Sequence, residues 1–300
     1  MSAQEDCRQE KKARTESSNA VPLLAVGFCG VDESVKVEDV VEISQSSAPW
    51  AEWGVLFRPE KEGEPRFPSM TWVENDLCKA VSKANIVAGF YKVRLAAHLC
   101  STRCEEVLEG NAEFVQKLAA LGFRRVQINA TKANNVDSSK LADQVDNVAK
   151  VIEAVPAMEF ILQRNEETKP LWEALIARRE SLANISVLFD DSVGTGVERT
   201  TFPRPNIVEG LPCGYAGGIG PHNIEKVFQG IHESTLQDYG PLDSAYRAPW
   251  VDMESSLREK VMQDGEEKDI FSLNRVRACI ANVQVSQDKG VVKLLRADVM

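Results

Sequence analysis

A glycine-rich turn near the end of the chain is the clearest candidate for holding a ligand. Residues 213–223 read Cys-Gly-Tyr-Ala-Gly-Gly-Ile-Gly-Pro-His-Asn, which predicts a short buried strand, a tight turn and a helix that begins at Pro221. Backbone N–H groups left open by such a turn, at the positive end of a helix dipole, form a cradle for an anion such as phosphate. Gly217 and Gly218 are the candidate phosphate-binding residues of this turn.

Polar side chains also follow the apolar runs of the chain, at the points where strands are predicted to end. Because polar groups are costly to bury without a partner, their concentration there predicts a pocket that uses them. In a parallel barrel all of these strand ends meet at one rim. The rim candidates are Cys29, Arg58, Arg66, His98, Cys100, Gln127, Asn129, Gln163, Arg164, Asn165, Asp190, Asp191, Asp252, Glu254, Ser255 and Ser256.

Asp190 is a candidate general acid or base, a role that suits a carboxylate at a pocket mouth if burial raises its pKa. The adjacent Asp191 points the opposite way in an extended chain, so at most one of the two faces the pocket centre. The segment Ser-Val-Gly-Thr-Gly at 192–196 follows directly. It predicts a small flexible loop, with Gly194 and Gly196, that closes over a bound ligand.

Cys29 and His98 each allow two interpretations. Cys29 ends a predicted strand, where a thiol is either inert core packing or, if a positive group lowers its pKa, a proton acceptor. His98 is either a core histidine with its hydrogen bonds satisfied or an acid/base group at the rim, and we favour the second.

The candidate metal ligands are oxygen and imidazole donors, namely Asp190, Asp252, Glu254 and His98. Nothing in their linear spacing demands an ion, so the sequence assigns neither a metal nor another cofactor. No lysine lies at a predicted strand end, which disfavours a Schiff-base aldolase.

The positions of these residues follow from eight short apolar runs, each succeeded by a polar turn and a helical pattern. Eight strands close a parallel barrel, and near-continuous apolar runs suit strands covered on both faces. The sequence therefore predicts the α/β class, with a single (β/α)8 TIM barrel over residues 21–300; a doubly wound open sheet is the alternative. The runs are 22–28, 52–57, 93–99, 125–130, 159–164, 185–190, 213–216 and 250–253.

Apolar residues at helical spacing predict outer helices over 114–121, 141–152, 224–231 and 270–283. The proline- and glycine-containing segment 200–211 predicts a loop with little helix. Residues 1–20 are rich in charged, Ser and Gln residues and predict a disordered tail.

Composition narrows the class of partner and the compartment. The net charge of -10 argues against a nucleic-acid partner, and no apolar run reaches the roughly 20 residues of a membrane helix. Seven cysteines without a regular framework, and no secretory signal before them, indicate reduced thiols. We expect a soluble cytoplasmic protein with no membrane partner.

About half of the chain resembles phosphoribosylanthranilate isomerase, and the match is strong from Val187 onward. The resemblance is carried by Val-Leu-Phe-Asp at 187–190, by Gly-Thr-Gly at 194–196, by the glycine-rich turn at 215–223 and by Val-Asp-Met-Glu-Ser-Ser at 251–256. Phe-Cys-Gly-Val at 28–31, and Gly-Val-Leu-Phe at 54–57 with Pro-Arg at 65–66, resemble its first two strands. The family's lysine before the cysteine is absent, since Gly27 and Phe28 stand there.

That family is a (β/α)8 barrel that converts an aminoaldose phosphate to an aminoketose. The resemblance implies Cys29 as general base and Asp190 as general acid, with phosphate contacts from Gly217, Gly218, Ser255 and Ser256. The Ala-His-Leu-Cys strand at 97–100 and the Gly-Tyr-Ala-Gly-Gly turn resemble a group of uncharacterised isomerase-like barrel proteins rather than the true isomerase.

The leading hypothesis is therefore an isomerase of the aldose–ketose type that acts on a small phosphorylated or acidic metabolite by proton transfer. Cys29 and Asp190, with His98, would carry the protons, and Arg66 and the last two loops would hold the anion. One alternative is a metal-assisted lyase or aldolase with Asp252, Glu254 and His98 as ligands. The other is an inactive barrel that binds a metabolite or a protein partner.

Overall fold

The chain folds around a closed barrel of eight parallel strands, which confirms the predicted (β/α)8 fold. The computed structural model describes residues 20–88, 93–190, 201–205, 210–236, 247–263 and 265–295. Residues 1–19, the greater part of the predicted tail, lie outside the described residues, so the domain boundary at residue 21 stays a prediction. Strands and helices share one large apolar core.

Each barrel strand pairs in parallel with the next, and the first pairs with the last to close the ring. The predicted run at 22–28 is two strands rather than one, because Leu24 interrupts it. The first piece, β1 (Val21–Leu23), pairs outside the barrel with β12 (Val292–Leu294). The barrel strands are β2 (Ala25–Cys29), β3 (Ala51–Phe57), β4 (Arg94–Leu99), β5 (Arg125–Ile128), β6 (Glu159–Arg164), β7 (Ile185–Phe189), β8 (Cys213–Tyr215) and β9 (Trp250–Met253).

The helices bury their apolar stripes against the barrel. The stripe predicted from Leu141 is helical only from Val145, because a turn of the chain precedes it. Among the described residues no helix is long and apolar enough to cross a membrane. The helices are α1 (Val37–Ser46), α2 (Met70–Trp72), which continues through a π-helical turn at Val73–Leu77 into α3 (Cys78–Ala88), α4 (Thr102–Leu108), α5 (Glu113–Ala120), α6 (Val145–Ala154), α7 (Lys169–Ile176), α8 (Ile224–Leu236) and α9 (Leu273–Asp288).

An antiparallel hairpin after the last barrel strand was not predicted. Its strands, β10 (Arg258–Gln263) and β11 (Glu266–Phe271), are largely exposed and charged, so they lack the apolar signal of a core strand. Arg258 is buried at its base and donates to the carbonyl of Gly30 at 3.0 Å and to Asp32 at 2.7 Å. These two hydrogen bonds hold the hairpin against the loop that follows β2.

The end of the barrel where the strands begin, which we call the closed end, is filled by charged side chains. Arg125 donates to Glu52 at 2.7 Å and to Glu159 at 2.9 Å, and its guanidinium lies 3.9 Å from the Trp250 ring centroid. Burial alone would lower the pKa of Arg125, but Glu159 and Glu52 raise it above its usual value. A barrel core more often carries bulky aliphatic side chains at such positions.

Candidate active site at the barrel mouth

The opposite end of the barrel opens into a cavity of about 410 Å³. Its walls come from the carboxyl ends of the strands and the loops that follow them, where (β/α)8 enzymes carry their active sites. Asn134 and Ala216 were not among the rim candidates, because nothing in a loop sequence marks one residue as facing inward. The lining residues are His98, Gln127, Asn129, Asn134, Gln163, Leu188, Asp190, Ala216, Gly217, Gly218, Ile219, His222, Asp252, Met253, Glu254, Ser255 and Ser256.

Not every predicted site residue is part of this lining. Cys29 is fully buried behind the cavity wall, and Arg66 is not part of the lining. Gly194 and Gly196, which were predicted to close over the ligand, lie outside the described residues together with the rest of 191–200.

The turn after β8 has the geometry of an anion cradle. Gly217 and Gly218 adopt φ values of +107° and +61°, which favour glycine. The Asn223 side chain holds the turn, since it donates to the Gly218 carbonyl and accepts from Gly220 N–H, both at 2.9 Å. No described residue accepts a hydrogen bond from the N–H groups of Gly217 and Gly218. The 13-residue helix α8 follows, with its positive end toward this turn.

The loop after β9 is tied to that turn. The Ser256 hydroxyl donates to the Ile219 carbonyl, and Arg275 donates to the Ser256 carbonyl at 3.0 Å. A Cβ on Gly220 would lie 2.5 Å from the Ser256 Cβ, so the close approach of the two loops requires glycine there. Within the described residues, no acceptor is found for the N–H groups of Ser255 and Ser256. Two loops thus bring their open donors to one wall of the cavity.

Asp190 follows β7 directly and faces the same cavity. Its carboxylate accepts a hydrogen bond of 2.7 Å from the Gln163 side-chain amide on the neighbouring strand β6. Only 6% of the residue is exposed, so this amide fixes the orientation of a largely buried carboxylate. A carboxylate held in this way can exchange a proton with a ligand in the cavity.

Cys29, His98 and Asp252 meet at the base of the cavity. The Cys29 Sγ lies 3.4 Å from Nδ1 of His98. Burial, reinforced by the nearby Arg125, lowers the pKa of His98 to about 3, so the imidazole is neutral at physiological pH. Burial and the charges of Asp252 and Glu254 raise the pKa of the Cys29 thiol well above its usual value. A reactive Cys29 would need a nearby cation to lower its pKa. The charged groups that shift its pKa are instead the carboxylates of Asp252 and Glu254.

Glu254 and Arg66 pair with each other beside the mouth. Arg66 donates to Glu254 at 3.0 Å, and its Nε lies 3.7 Å from Asp269 of the hairpin. Its backbone, at φ +77°, is held by a hydrogen bond of 2.8 Å from its N–H to Asp32. This guanidinium is engaged by the carboxylates of Glu254 and Asp269, whereas the sequence predicted that Arg66 would hold the anion. Burial raises the pKa of Glu254, although Arg66 opposes the shift.

Comparisons with known proteins find similarity at the level of structure alone. No family model matches the chain, and no curated protein matches it. Phosphoribosyl anthranilate isomerase from Thermus thermophilus is 18% identical, with 87% of this chain and 98% of that chain covered and a TM-score of 0.46. D-psicose 3-epimerase from Clostridium cellulolyticum H10 is 10% identical, with coverage of 89% and 98% and a TM-score of 0.49.

Tryptophan synthase from M. tuberculosis is 15% identical, with coverage of 93% and 96% and a TM-score of 0.45. The similar structures thus include the family named from the sequence and other barrel enzymes. Identities and TM-scores at this level assign no family, so the fold assignment stands on the closed strand pairing itself.

Proposed function

We propose that this barrel is an isomerase that transfers protons on a small phosphorylated, sugar-like metabolite. The observation that carries the proposal is that the open N–H groups of two loops and the Asp190 carboxylate face one cavity. An anion at the cradle and a proton-transfer group at the end of the neighbouring strand β7 are the two parts that such a reaction needs.

The cradle suits a phosphate monoester. Gly217 and Gly218 at the start of α8, with Ser255 and Ser256 on the neighbouring loop, would supply backbone donors and one free hydroxyl to its oxygens. A cavity of about 410 Å³ is in the size range of small-molecule sites. The remainder of the metabolite would then extend toward Asp190, His98 and Asp252.

Asp190 is the residue to which we assign proton transfer. In an aldose–ketose conversion one proton leaves C2 and one is added to C1, while a second proton moves from O2 to O1, so the composition is unchanged. Asp190 would take the C2 proton and return it to C1. His98 and Asp252 would contact the substrate oxygens between which the second proton moves. Cys29 contacts His98 instead of the cavity, so we do not assign the base to the thiol.

The test follows exchange of carbon-bound hydrogen in D₂O by NMR, with an aldopentose 5-phosphate and an aldohexose 6-phosphate as probes. We expect exchange at C2 and ketose formation with the wild-type protein. Asp190→Asn should slow exchange roughly 100- to 10,000-fold, the usual contribution of a general acid/base group. Binding of the probe, measured by calorimetry, should be largely retained.

The matched control is Asp143→Asn, which alters an exposed carboxylate that is not part of the cavity lining and should leave exchange unchanged. Full exchange by Asp190→Asn would remove Asp190 from the mechanism. Tight binding of phosphorylated probes without exchange by the wild-type protein would favour a barrel that only binds its metabolite.

A further inference from the structure

We propose that Cys29, His98 and Asp252 form a three-ligand site for a zinc-type divalent metal ion, with its open fourth position toward the cavity. A thiol sulfur, an imidazole nitrogen and a carboxylate oxygen, one from each residue, all lie within 4.8 Å of one another. They come from three strands, β2, β4 and β9, and no short sequence motif joins them.

The spacing of the donors suits a tetrahedral ion. Zinc bonds of about 2.3 Å to sulfur and about 2.0 Å to nitrogen place the two donors roughly 3.5 Å apart. The observed distance from Cys29 Sγ to His98 Nδ1 is 3.4 Å. Thiolate with imidazole favours zinc or cobalt over magnesium or calcium, which prefer oxygen ligands.

Two glycines make room for this cluster. A Cβ on Gly27 would lie 2.3 Å from an oxygen of Asp252, and a Cβ on Gly54 would lie 2.9 Å from Cys29 Sγ. Neither glycine has a positive φ, so the backbone does not require them. Bulky aliphatic side chains are usual in a barrel interior, and their absence at both positions leaves space for the ligand atoms.

The cluster also lacks a positive charge of its own. Among the described residues none donates a hydrogen bond to the Asp252 carboxylate, and no arginine or lysine forms an ion pair with it. Arg125 is already bound to Glu52 and Glu159, and Arg66 to Glu254. The metal hypothesis from the sequence had Asp252, Glu254 and His98 as ligands. Because Glu254 pairs with Arg66, we assign the third ligand to Cys29 instead.

The position of the site gives the ion a role. His98 and Asp252 line the cavity and Cys29 lies behind it, so the fourth position faces a ligand held at the anion cradle. There the ion would polarise a carbonyl or hydroxyl oxygen of the substrate as a Lewis acid. This role rests on the proposed function, whereas the binding of the ion does not.

The test titrates Co²⁺ into chelator-treated protein and follows the thiolate-to-cobalt charge-transfer band in the near ultraviolet and the visible bands of tetrahedral cobalt. We expect saturation at one equivalent and displacement by Zn²⁺. Cys29→Ser should abolish the thiolate band. Its loss of affinity should exceed the roughly 10- to 100-fold that removal of an outer-shell partner costs.

Cys100→Ser is the matched control, because Cys100 is also buried near the mouth but lies outside the cluster, and it should keep the band. Asp252→Asn is a second variant in case Cys29→Ser fails to fold, and it should weaken cobalt binding. The absence of a thiolate band in the wild-type protein, or its persistence in Cys29→Ser, would overturn the inference.

Binding of inorganic phosphate to the metal-free protein separates this inference from the proposed function. Phosphate binding without a cobalt–thiolate band would overturn the metal site and leave the anion cradle in place. Cobalt binding without phosphate binding would support the metal site and count against the cradle.

Discussion

Charged side chains are buried both at the closed end of the barrel and at its mouth, but the pairing of these charges differs between the two ends. At the closed end Arg125 bridges Glu52 and Glu159, and Arg94 adds a second positive charge, so the formal charges cancel. Arg94 donates to the Leu24 carbonyl at 3.0 Å. At the mouth the carboxylates of Asp252 and Glu254 share one cavity. Glu254 pairs with Arg66, whereas no described arginine or lysine forms an ion pair with Asp252.

The difference separates structural charges from those available to a ligand. A buried charge is tolerated when a partner of opposite sign compensates it, and removal of that partner is costly. Buried carboxylates that repel each other in a cleft are instead a sign of a functional site. Burial and the charges of Glu52 and Glu254 raise the pKa of Asp252 well above its usual value. Asp252 is thus the carboxylate of the mouth that a bound cation would stabilise.

The largest effect is expected at the closed end, from Arg125→Met. This change leaves Glu52 buried without its partner, and loss of one member of a buried pair costs about 3–5 kcal/mol. Chemical denaturation should show a fall of that size in the free energy of unfolding. Glu159→Gln is the control: the side chain is 30% exposed, so we expect a loss of about 1 kcal/mol or less.

The double variant Glu52→Leu with Arg125→Met sharpens this test. Because both buried partners become apolar together, it should recover much of the stability that Arg125→Met loses. If Arg125→Met alone left stability unchanged, the closed end would not be the paired network that we describe.

A smaller effect, confined to ligand binding, is expected from Gly217→Ala at the mouth. An alanine at φ +107° is strained and places a methyl group in the anion cradle, so inorganic phosphate should bind roughly 10-fold more weakly or worse. Calorimetric titration with phosphate measures this. Gly63→Ala provides the same kind of strain, at φ +85°, with nothing within 4 Å of the added Cβ. It should reduce stability without changing phosphate affinity.

The smallest effect is expected from Asp252→Asn in metal-free protein. The Asp252 carboxylate accepts no hydrogen bond from a described residue, and its neighbours Glu52, Glu254 and Asp190 repel its charge. Its replacement should leave stability unchanged or raise it by up to about 1 kcal/mol. Thermal unfolding in the presence of a chelator measures this, and a loss of several kcal/mol would show that Asp252 is structural after all.

Much of the barrel is readable in the sequence because its strands are covered on both faces. Buried parallel strands leave apolar runs such as 159–164 and 185–190, and these match β6 and β7 within one residue. The hairpin β10–β11 could not be read in this way, since exposed charged strands resemble loops. The division of the first run at Leu24 depends on β12, a partner that lies at the far end of the chain.

The residues of the mouth could also be predicted from the sequence, but the contacts between their side chains could not. His98, Asp190, Asp252 and Glu254 stand at strand ends, so their position at one rim follows from ring closure. That Arg66 pairs with Glu254, and that Asn223 holds the glycine turn, depends on side-chain directions and distances that no linear pattern records.

The sequence by itself determined the eight-stranded ring and the set of polar groups at its mouth, since burial on both faces and alternation along a strand are local properties of the chain. Only the tertiary structure decided which of these groups pair with one another, as Arg66 does with Glu254. The reason is physical: the charge state and partners of Cys29, His98 and Asp252 depend on burial and on residues far away in sequence.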